Sequence, residues 1–373
     1  MTMIGVVAAT AARAELAVSA NDGKLKLVGG KTIVPADPVP DTLTVIDLAG
    51  APRVVGDVRV GASVIGPPSS VAVVRDESFA VVSAAAKIDT KDRSKTVPDN
   101  KVTLINLRAR PPKIVDVGEA GIGAAGVAIS PSGHLVLVAN RGEGTVSVFV
   151  IKGKRLKEAG KIALGDPRCG PSGIVFTPDG KRALVTRDGD SAISVLQIDS
   201  EKVSYSGRDL HAGLKPYAID VAAGGAYAAV ANIGVGGGDA DTVSLIDLKA
   251  EPPRVVDTLT VGQTPEGLKI SPDGRFIAVT VMNGSNKEEG SPFFNDYGLL
   301  MILAIEGPRL VKINTAPIGH WCQGAAWSRD GRRVLAGCMV EEEVVVFGFD
   351  GAALTFRGRL AMKAGPAALA TAR

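Results

Sequence analysis

The chain has 373 residues, with 42 basic and 39 acidic side chains and a formal net charge of +3 at pH 7. Hydrophobic residues make up 46% of it, which is enough for a core and excludes a disordered chain. The two charge signs are interspersed, so no concentrated basic face exists for nucleic acid to bind. No apolar run after the N-terminus approaches the roughly 20 residues of a membrane helix, and we expect no membrane insertion.

The first 14 residues differ from the rest of the sequence. Residues 3–12 form a short apolar stretch, and Ala12-Arg13-Ala14 fits the A-x-A cleavage pattern of a secretory signal. No basic region precedes the apolar stretch, so a disordered lead-in is the alternative for residues 1–14. We expect a periplasmic or secreted protein, with a cytoplasmic location as the alternative.

A short turn recurs along the rest of the chain. It has the form S/T-P-D/S-G, and the glycines Gly133 and Gly180 of two copies are 47 residues apart. At roughly 150 residues per domain the length suggests two or three domains, but a repeat of this size instead favours one array of similar units. The copies are Ser130–Gly133, Thr177–Gly180, Ser271–Gly274 and Ser328–Gly331.

A strand that alternates with this turn also repeats, seven times in all. The copies begin at intervals of 44 to 59 residues and are Thr42–Leu48, Lys101–Leu107, Thr145–Ile151, Ala192–Ile198, Thr242–Leu248, Leu299–Ile305 and Glu343–Phe349. A more polar strand follows each copy, as in Arg53–Val60 and Arg254–Val261. Four strands at this period predict the blade of a β-propeller.

The two ends of the chain complete each other. The N-terminal unit begins at its second strand, Leu16–Ala20, and lacks a first strand. The segment Gly365–Arg373 resembles first strands such as Ala125–Ser130 and then stops. We therefore predict an all-β fold over residues 15–373. It is one seven-bladed β-propeller with four antiparallel strands per blade, closed when the C-terminal strand joins the N-terminal blade.

The repeat resembles one propeller family in particular. The segment Gly126–Phe149 (GVAISPSGHLVLVANRGEGTVSVF) is similar to the YVTN-type repeat, which occurs in lactonase-like and surface-layer-like seven-bladed propellers. The resemblance covers nearly the whole chain and implies the fold more strongly than the function. Lactonase-like members often carry His-Pro before the first strand, whereas this sequence has Gly-Pro, Lys-Pro or Thr-Pro there, which lowers the expectation of a hydrolase.

Long loops indicate which face of the propeller carries a site. Four connections between second and third strands are long, and all of them fall on one face, here called the long-loop face. They are Gly23–Asp41, Lys87–Asn100, Ile233–Asp241 and Asn283–Tyr297. We expect a small polar or anionic ligand, or a partner protein, to bind this face and the central funnel. Tolerated surface insertion is the alternative.

Polar residues at strand ends should ring the central funnel. Three arginines from neighbouring blades would form a positive lobe that suits a carboxylate or phosphate. The alternative is that these side chains satisfy strand-end backbone groups and pair with one another. The predicted ligand-binding residues are Asn140, Arg141, Arg168, Arg187, Asp188, Tyr217, Asn232 and Gln323.

Catalytic residues are harder to identify from the sequence. His320 with nearby Glu266 could act as a general base toward water or a lactone carbonyl, although a single His on a loop more often packs or hydrogen-bonds. No triad context, glycine-rich phosphate loop or metal-ligand spacing is present. We expect no metal and no cofactor.

The cysteines give a prediction from strand register. If the turn at Arg329–Gly331 joins two paired strands, Cys322 and Cys338 lie directly opposite each other and could form a disulfide in an oxidising compartment. Two adjacent buried thiols are the alternative. Cys169 would then be the free cysteine, at the funnel rim.

These observations favour a binding or scaffold protein over an enzyme, because no nucleophile or metal set is readable. The alternative is a lactonase-like hydrolase acting in the funnel. A subunit of a quinone-dependent dehydrogenase is a weaker alternative, since such proteins share the fold. We expect a monomer.

Overall fold

The structure is a computed structural model, and it describes residues 15–373. The proposed signal segment 1–14 lies outside the described residues. Within them the chain forms strands, turns and one short 3-10 helix, Pro167–Cys169, and no α-helix.

The strands follow one another in a regular series. In the first half of the chain they are β1 (Leu16–Asp22), β2 (Lys26–Val28), β3 (Lys31–Ile33), β4 (Thr42–Asp47), β5 (Arg53–Arg59), β6 (Val71–Val73), β7 (Phe79–Ser83), β8 (Ala86–Ile88), β9 (Thr96–Pro98), β10 (Lys101–Asn106), β11 (Lys113–Glu119), β12 (Ala124–Ile129), β13 (Leu135–Asn140), β14 (Thr145–Lys152) and β15 (Arg155–Ala163). In the second half they are β16 (Pro171–Phe176), β17 (Arg182–Arg187), β18 (Ala192–Asp199), β19 (Lys202–Leu210), β20 (Pro216–Val221), β21 (Tyr227–Asn232), β22 (Asp241–Asp247), β23 (Arg254–Gly262), β24 (Pro265–Ile270), β25 (Phe276–Val281), β26 (Gly298–Glu306), β27 (Arg309–Ile318), β28 (Cys322–Trp327), β29 (Arg333–Cys338), β30 (Glu343–Phe349), β31 (Leu354–Ala361) and β32 (Gly365–Thr371).

Seven four-stranded antiparallel sheets make up the propeller, as the repeat predicted. Blade 1 has the order β32-β1-β4-β5, so the last strand of the chain is the innermost strand of the first blade. Its register places Ala17 opposite Thr371. Blades 2 to 7 each use four consecutive main strands in chain order, from β6–β11 through to β28–β31. The predicted closure of the ring is therefore confirmed.

Burial explains why the middle strands of each blade are the most hydrophobic. β13 (LVLVAN) is buried at every position, because blades pack on both of its faces. The outermost strands are largely exposed, as in β15, where charged residues occupy four of the nine positions. Val, Ile, Leu and Ala fill the gaps between blades, which accounts for the low aromatic content.

The innermost strands meet around the axis at a ring of small residues. Gly126, Gly173, Gly267 and Gly324 occupy the same register position in four blades, three residues before the last residue of the strand. A Cβ built on Gly267 would lie 2.2 Å from the carbonyl oxygen of Gln323 in the next blade, and the other three make similar approaches to backbone atoms. The absence of a side chain therefore sets how closely adjacent blades approach.

Hydroxyl side chains hold the same junctions together. Thr186 Oγ1 accepts a hydrogen bond from Gly173 N at 2.7 Å and donates to Tyr217 O of the next blade at 2.6 Å. Thr280 repeats the arrangement, accepting from Gly267 N at 2.9 Å and donating to Gln323 O. Each hydroxyl thus satisfies buried backbone groups of two blades at once.

Two of the predicted long loops contain structure that the sequence did not reveal. β2 pairs with β3 inside the first loop, and β8 pairs with β9 inside the second. Both are short hairpins on the long-loop face. Three-residue strands carry too little periodicity to be recognised in a sequence.

Cys322 and Cys338 lie directly opposite each other on β28 and β29. Their sulfurs are bonded at 1.98 Å, and the two residues are 16 apart in the chain. Cys169 is a free thiol and is buried.

We predict that Gly267→Ala destabilises the fold by about 1–3 kcal/mol, because the new methyl group must displace the backbone of the next blade. Urea unfolding followed by far-UV circular dichroism measures the change. Gly224→Ala is the matched control, since a Cβ on Gly224 meets no atom within 4 Å. Equal stability of the two variants would contradict close approach at the ring.

We also predict that replacing Cys322 and Cys338 with alanine lowers the free energy of unfolding by about 2–4 kcal/mol, because the open chain gains conformational freedom in the unfolded state. Mass spectrometry after alkylation in denaturant tests the bond directly. Without reductant only Cys169 should be alkylated, and with reductant all three cysteines should be. Three alkylated cysteines under non-reducing conditions would show that the bond is absent.

Candidate functional site

The axial channel is lined by the first strand of each blade, and strand register defines two rings of residues in it. The upper ring, near the long-loop face, consists of Ser69, Ala125, Ser172, Tyr217, Glu266, Gln323 and Ala367. The lower ring lies three residues further along each strand and consists of Ala72, Ala128, Val175, Asp220, Lys269, Ala326 and Ala370. Polar residues in the upper ring cluster in blades 4 to 7.

An ion pair joins blades 3 and 4 at the upper ring. Arg141, just after β13, donates two hydrogen bonds to Asp188, with Nη1–Oδ1 at 2.9 Å and Nη2–Oδ2 at 2.5 Å. The Oγ of Ser172 accepts from Arg141 at 2.7 Å and donates to Asp188 at 2.7 Å. Two parallel bonds between a guanidinium and a carboxylate fix the orientation of Arg141.

Tyr217 and Glu266 extend this cluster into blades 5 and 6. The Arg141 guanidinium carbon lies 5.8 Å from the centre of the Tyr217 ring. Burial raises the pKa of Glu266 to about 8, while the charge of Arg141 opposes the shift and that of Asp188 reinforces it. Burial also raises the pKa of Tyr217 well above its usual value. Glu266 is therefore mostly protonated at neutral pH.

Three buried polar atoms in the upper ring lack a partner among residues 15–373. They are Oγ of Ser69, Oε2 of Glu266 and Nε2 of Gln323, and the last two lie on neighbouring first strands. Buried polar groups are nearly always hydrogen-bonded, so an unpaired acceptor and an unpaired donor mark a place where a ligand can supply the missing bonds. The site therefore contains a proton-transfer group (Glu266), a cation of fixed orientation (Arg141) and an amide hydrogen-bond donor (Gln323).

The three predicted arginines do not form a positive lobe. Arg141 is paired with Asp188, and the exposed Arg168 is paired with Asp166 at 2.8 Å. Arg187 is buried and binds Asp190 and Asp209, the latter on the outermost strand of its own blade at 2.9 Å. Each guanidinium is neutralised by a carboxylate, which is the arrangement that the alternative interpretation described.

The two predicted asparagines are engaged within their own blades. The amide nitrogen of Asn140 donates to Thr145 and Ser147, and its oxygen accepts from Gly121 N at 3.0 Å. Asn232 donates to Thr242 and Ser244, both at 3.0 Å. Asn140 thus holds its strand end to the entering loop, whereas Oδ1 of Asn232 is buried without a partner among residues 15–373.

His320 lies in a different place from Glu266. Its Nδ1 is 2.6 Å from Glu341 Oε1 and its Nε2 is 2.9 Å from Asp296 Oδ1. Burial opposes protonation, but the two carboxylates outweigh it and raise the pKa of His320 above 6.5. The predicted His320–Glu266 pairing is wrong, because both imidazole nitrogens bond to carboxylates on loops of the long-loop face. His320 borders a cavity of about 450 Å³ there.

Sequence reasoning missed Ser172 in the upper ring and two charged residues in the lower ring, Asp220 and Lys269. A signal for the charged pair did exist. Aligned first strands carry Ala or Val at this position in the other five blades, so Asp and Lys stand out once register is known. The alignment needs the structure, because bulges interrupt most of these strands.

Cys169 is not a reactive thiol. It is buried, and burial raises its pKa to about 11 despite nearby Arg187, so the thiolate is scarce at neutral pH. Residues 15–373 contain no cluster of three or more His, Cys, Asp or Glu side chains placed to hold a metal ion. In this same part of the chain no helix is long and apolar enough to span a membrane.

Comparison with known proteins assigns the sequence to a family. The sequence matches the profile of the family described as "Lactonase, 7-bladed beta-propeller" over residues 99–203 and 126–288, together just over half of the chain. The chain belongs to this lactonase propeller family. No curated protein matches the sequence.

Solved structures show the same fold in lactonase-like propellers at low sequence identity. A candidate 6-phosphogluconolactonase from Bacteroides uniformis is 14% identical, with a TM-score of 0.74 over 96% of this chain and 99% of that one. A periplasmic gluconolactonase from Pseudomonas aeruginosa is 16% identical, with a TM-score of 0.69 over 97% and 99%. Kuenenia stuttgartiensis hydrazine synthase is 20% identical, with a TM-score of 0.64 over 84% and 91%. At these identities the likeness concerns the fold.

We predict that His320→Gln destabilises the protein more at pH 6 than at pH 8.5. A pKa raised by folding adds stability that is complete below about 6.5 and is lost as the pH rises through the raised value. Free energies of unfolding from urea titrations at both pH values measure the difference. His211, which has no carboxylate partner among the described residues, gives the control His211→Gln. An equal loss at both pH values would contradict the ion-paired imidazolium.

Proposed function

We propose that the upper ring binds a small lactone and hydrolyses it. The observation that carries the proposal is the unpartnered Oε2 of Glu266, a buried carboxyl beside the fixed guanidinium of Arg141. The sequence by itself favoured binding without catalysis, because no acid–base set could be read from it. Membership of the lactonase propeller family supports a catalytic role over binding alone.

In the proposed reaction Glu266 acts as the proton-transfer group. Its carboxylate accepts a proton from a water molecule as the water oxygen bonds to the lactone carbonyl carbon, and the carbonyl electron pair moves onto its oxygen. Arg141 and the free amide hydrogens of Gln323 stabilise that oxyanion. When the carbonyl re-forms, the ring C–O bond breaks and Glu266 returns its proton to the leaving oxygen, which gives a hydroxy acid.

The charge of the site favours an uncharged lactone over a phosphorylated one. Asp188 neutralises Arg141, and Glu266 is mostly protonated at neutral pH, so the cluster carries little net charge. A phosphate group would find no unpaired cation at the upper ring.

A binding role through the long-loop face is the second candidate, and a separate observation favours it. Most of the exposed large apolar residues lie on loops of this face. They are Val28, Ile33, Val39, Ile65, Ile122, Leu214, Val235, Phe293, Tyr297 and Val340. Exposed apolar groups on one face suit a protein partner. Export and a monomeric state stay predictions, and no observation on these residues favours a dehydrogenase subunit.

We predict that Glu266→Gln lowers kcat/KM for glucono-δ-lactone by at least about 100-fold, because the amide cannot accept the proton from water. Hydrolysis is followed by pH-stat titration with the spontaneous rate subtracted. In the wild type kcat/KM should rise with pH and level off above about 8, where Glu266 is ionised.

The exposed Glu158 provides the matched control, since Glu158→Gln makes the same chemical change on an outer strand. A panel of sugar γ- and δ-lactones is tested alongside. If the wild type turns over no lactone, the hydrolase proposal is wrong. A pull-down experiment with the wild-type protein, whose long-loop face is intact, then tests the binding role.

A further inference from the structure

A second cavity occupies the axis on the side opposite the long-loop face. This lower chamber has a volume of about 1080 Å³ and is lined by the lower ring together with side chains at the ends of the first strands. Its wall is mostly small or apolar and includes Phe176 and the indole of Trp327. The indole is held in place, because its Nε1 donates to Lys269 O at 2.9 Å.

One ion pair in the lower chamber is complete in itself. Asp220 accepts a hydrogen bond from Ile270 N at 2.8 Å and is bonded by both terminal nitrogens of Arg373. Arg373 also donates to Ile270 O at 2.8 Å. The carboxylate and the guanidinium thus satisfy each other and contribute no net charge to the chamber.

Lys269 takes no part in the ion pair between Asp220 and Arg373. No hydrogen-bond or ion-pair partner for its Nζ is found among residues 15–373, and the partly buried residue lines the chamber. Its ammonium is therefore free to form a charge-assisted bond with an anion in the chamber. The same environment lowers the pKa of Lys269, mainly through burial, with Asp220 opposing the shift. An anion at this position would restore the missing interaction.

We propose that the lower chamber is a second binding site, for a monocarboxylate with an apolar body such as a medium-chain or arylalkyl acid. The carboxylate pairs with the Lys269 ammonium, and the body of the ligand packs against Trp327 and the apolar strand ends. The ammonium of Lys269 matches one negative charge, and the largely apolar wall disfavours a polyhydroxylated ligand. The exposed Arg75 also lines the chamber. The site is separate from the upper ring and does not depend on lactone hydrolysis.

The test uses octanoate as the probe and its neutral isostere octanamide as a comparison. Isothermal titration calorimetry should show octanoate binding to the wild type, with an affinity at least tenfold weaker in Lys269→Met. Lys181→Met, on an exposed turn of the same face, should bind octanoate as the wild type does. Octanamide should bind all three proteins equally weakly. Glu266→Gln should leave octanoate binding unchanged, which separates this site from the upper ring.

A second measurement locates the ligand. In a Trp321→Phe background Trp327 is the remaining tryptophan, and 8-bromooctanoate should quench its emission. This readout needs no lysine variant, so it decides the matter even if Lys269→Met does not fold. The proposal is overturned if octanoate does not bind at millimolar concentration, if Lys269→Met binds it as tightly as the wild type, or if 8-bromooctanoate leaves Trp327 emission unchanged.

Discussion

The close approach of the first strands at the axis is the constraint on which the rest of the structure depends. Four glycines at one register position let a backbone atom of the next blade lie where a Cβ would otherwise be. Hydroxyls such as those of Thr186 and Thr280 then bridge the two blades. Because dense packing leaves no room for a side chain at this level, the functional side chains are displaced to the levels above and below it.

That displacement produces two chemically different environments on one axis. At the upper ring, Arg141 and Asp188 from the ends of second strands lie near Glu266, and the unpaired atoms of the ring are suited to proton transfer. The lower ring combines an apolar wall with Lys269 and is suited to an amphipathic anion. Glu266 and Lys269 lie on the same first strand, and Arg141 and Asp188 directly follow second strands, so both sites are positioned by the packed blades.

Ion pairing decides which of the charged residues can act on a ligand. The arginines at positions 168 and 187 resemble Arg141 in the sequence, yet one is exposed beside Asp166 and the other is committed to Asp209. His320 is likewise held between two carboxylates. Asp166 is only two residues from Arg168, but Asp209 and the two carboxylates at His320 lie on other strands or loops, and the local sequence contains no information about those distances.

The sequence by itself determined the all-β fold, the number of blades and the closure by the last strand, because these follow from a repeat whose period and strand pattern can be read locally. Register arithmetic across one turn also placed Cys322 opposite Cys338. Tyr217, Glu266 and Gln323 could be assigned to the funnel for the same reason. Only the tertiary structure decided that Glu266 interacts electrostatically with Arg141 and not with His320, and that Lys269 faces a cavity without a partner. Those outcomes depend on contacts between blades, and residues far apart in the chain set both burial and pairing there.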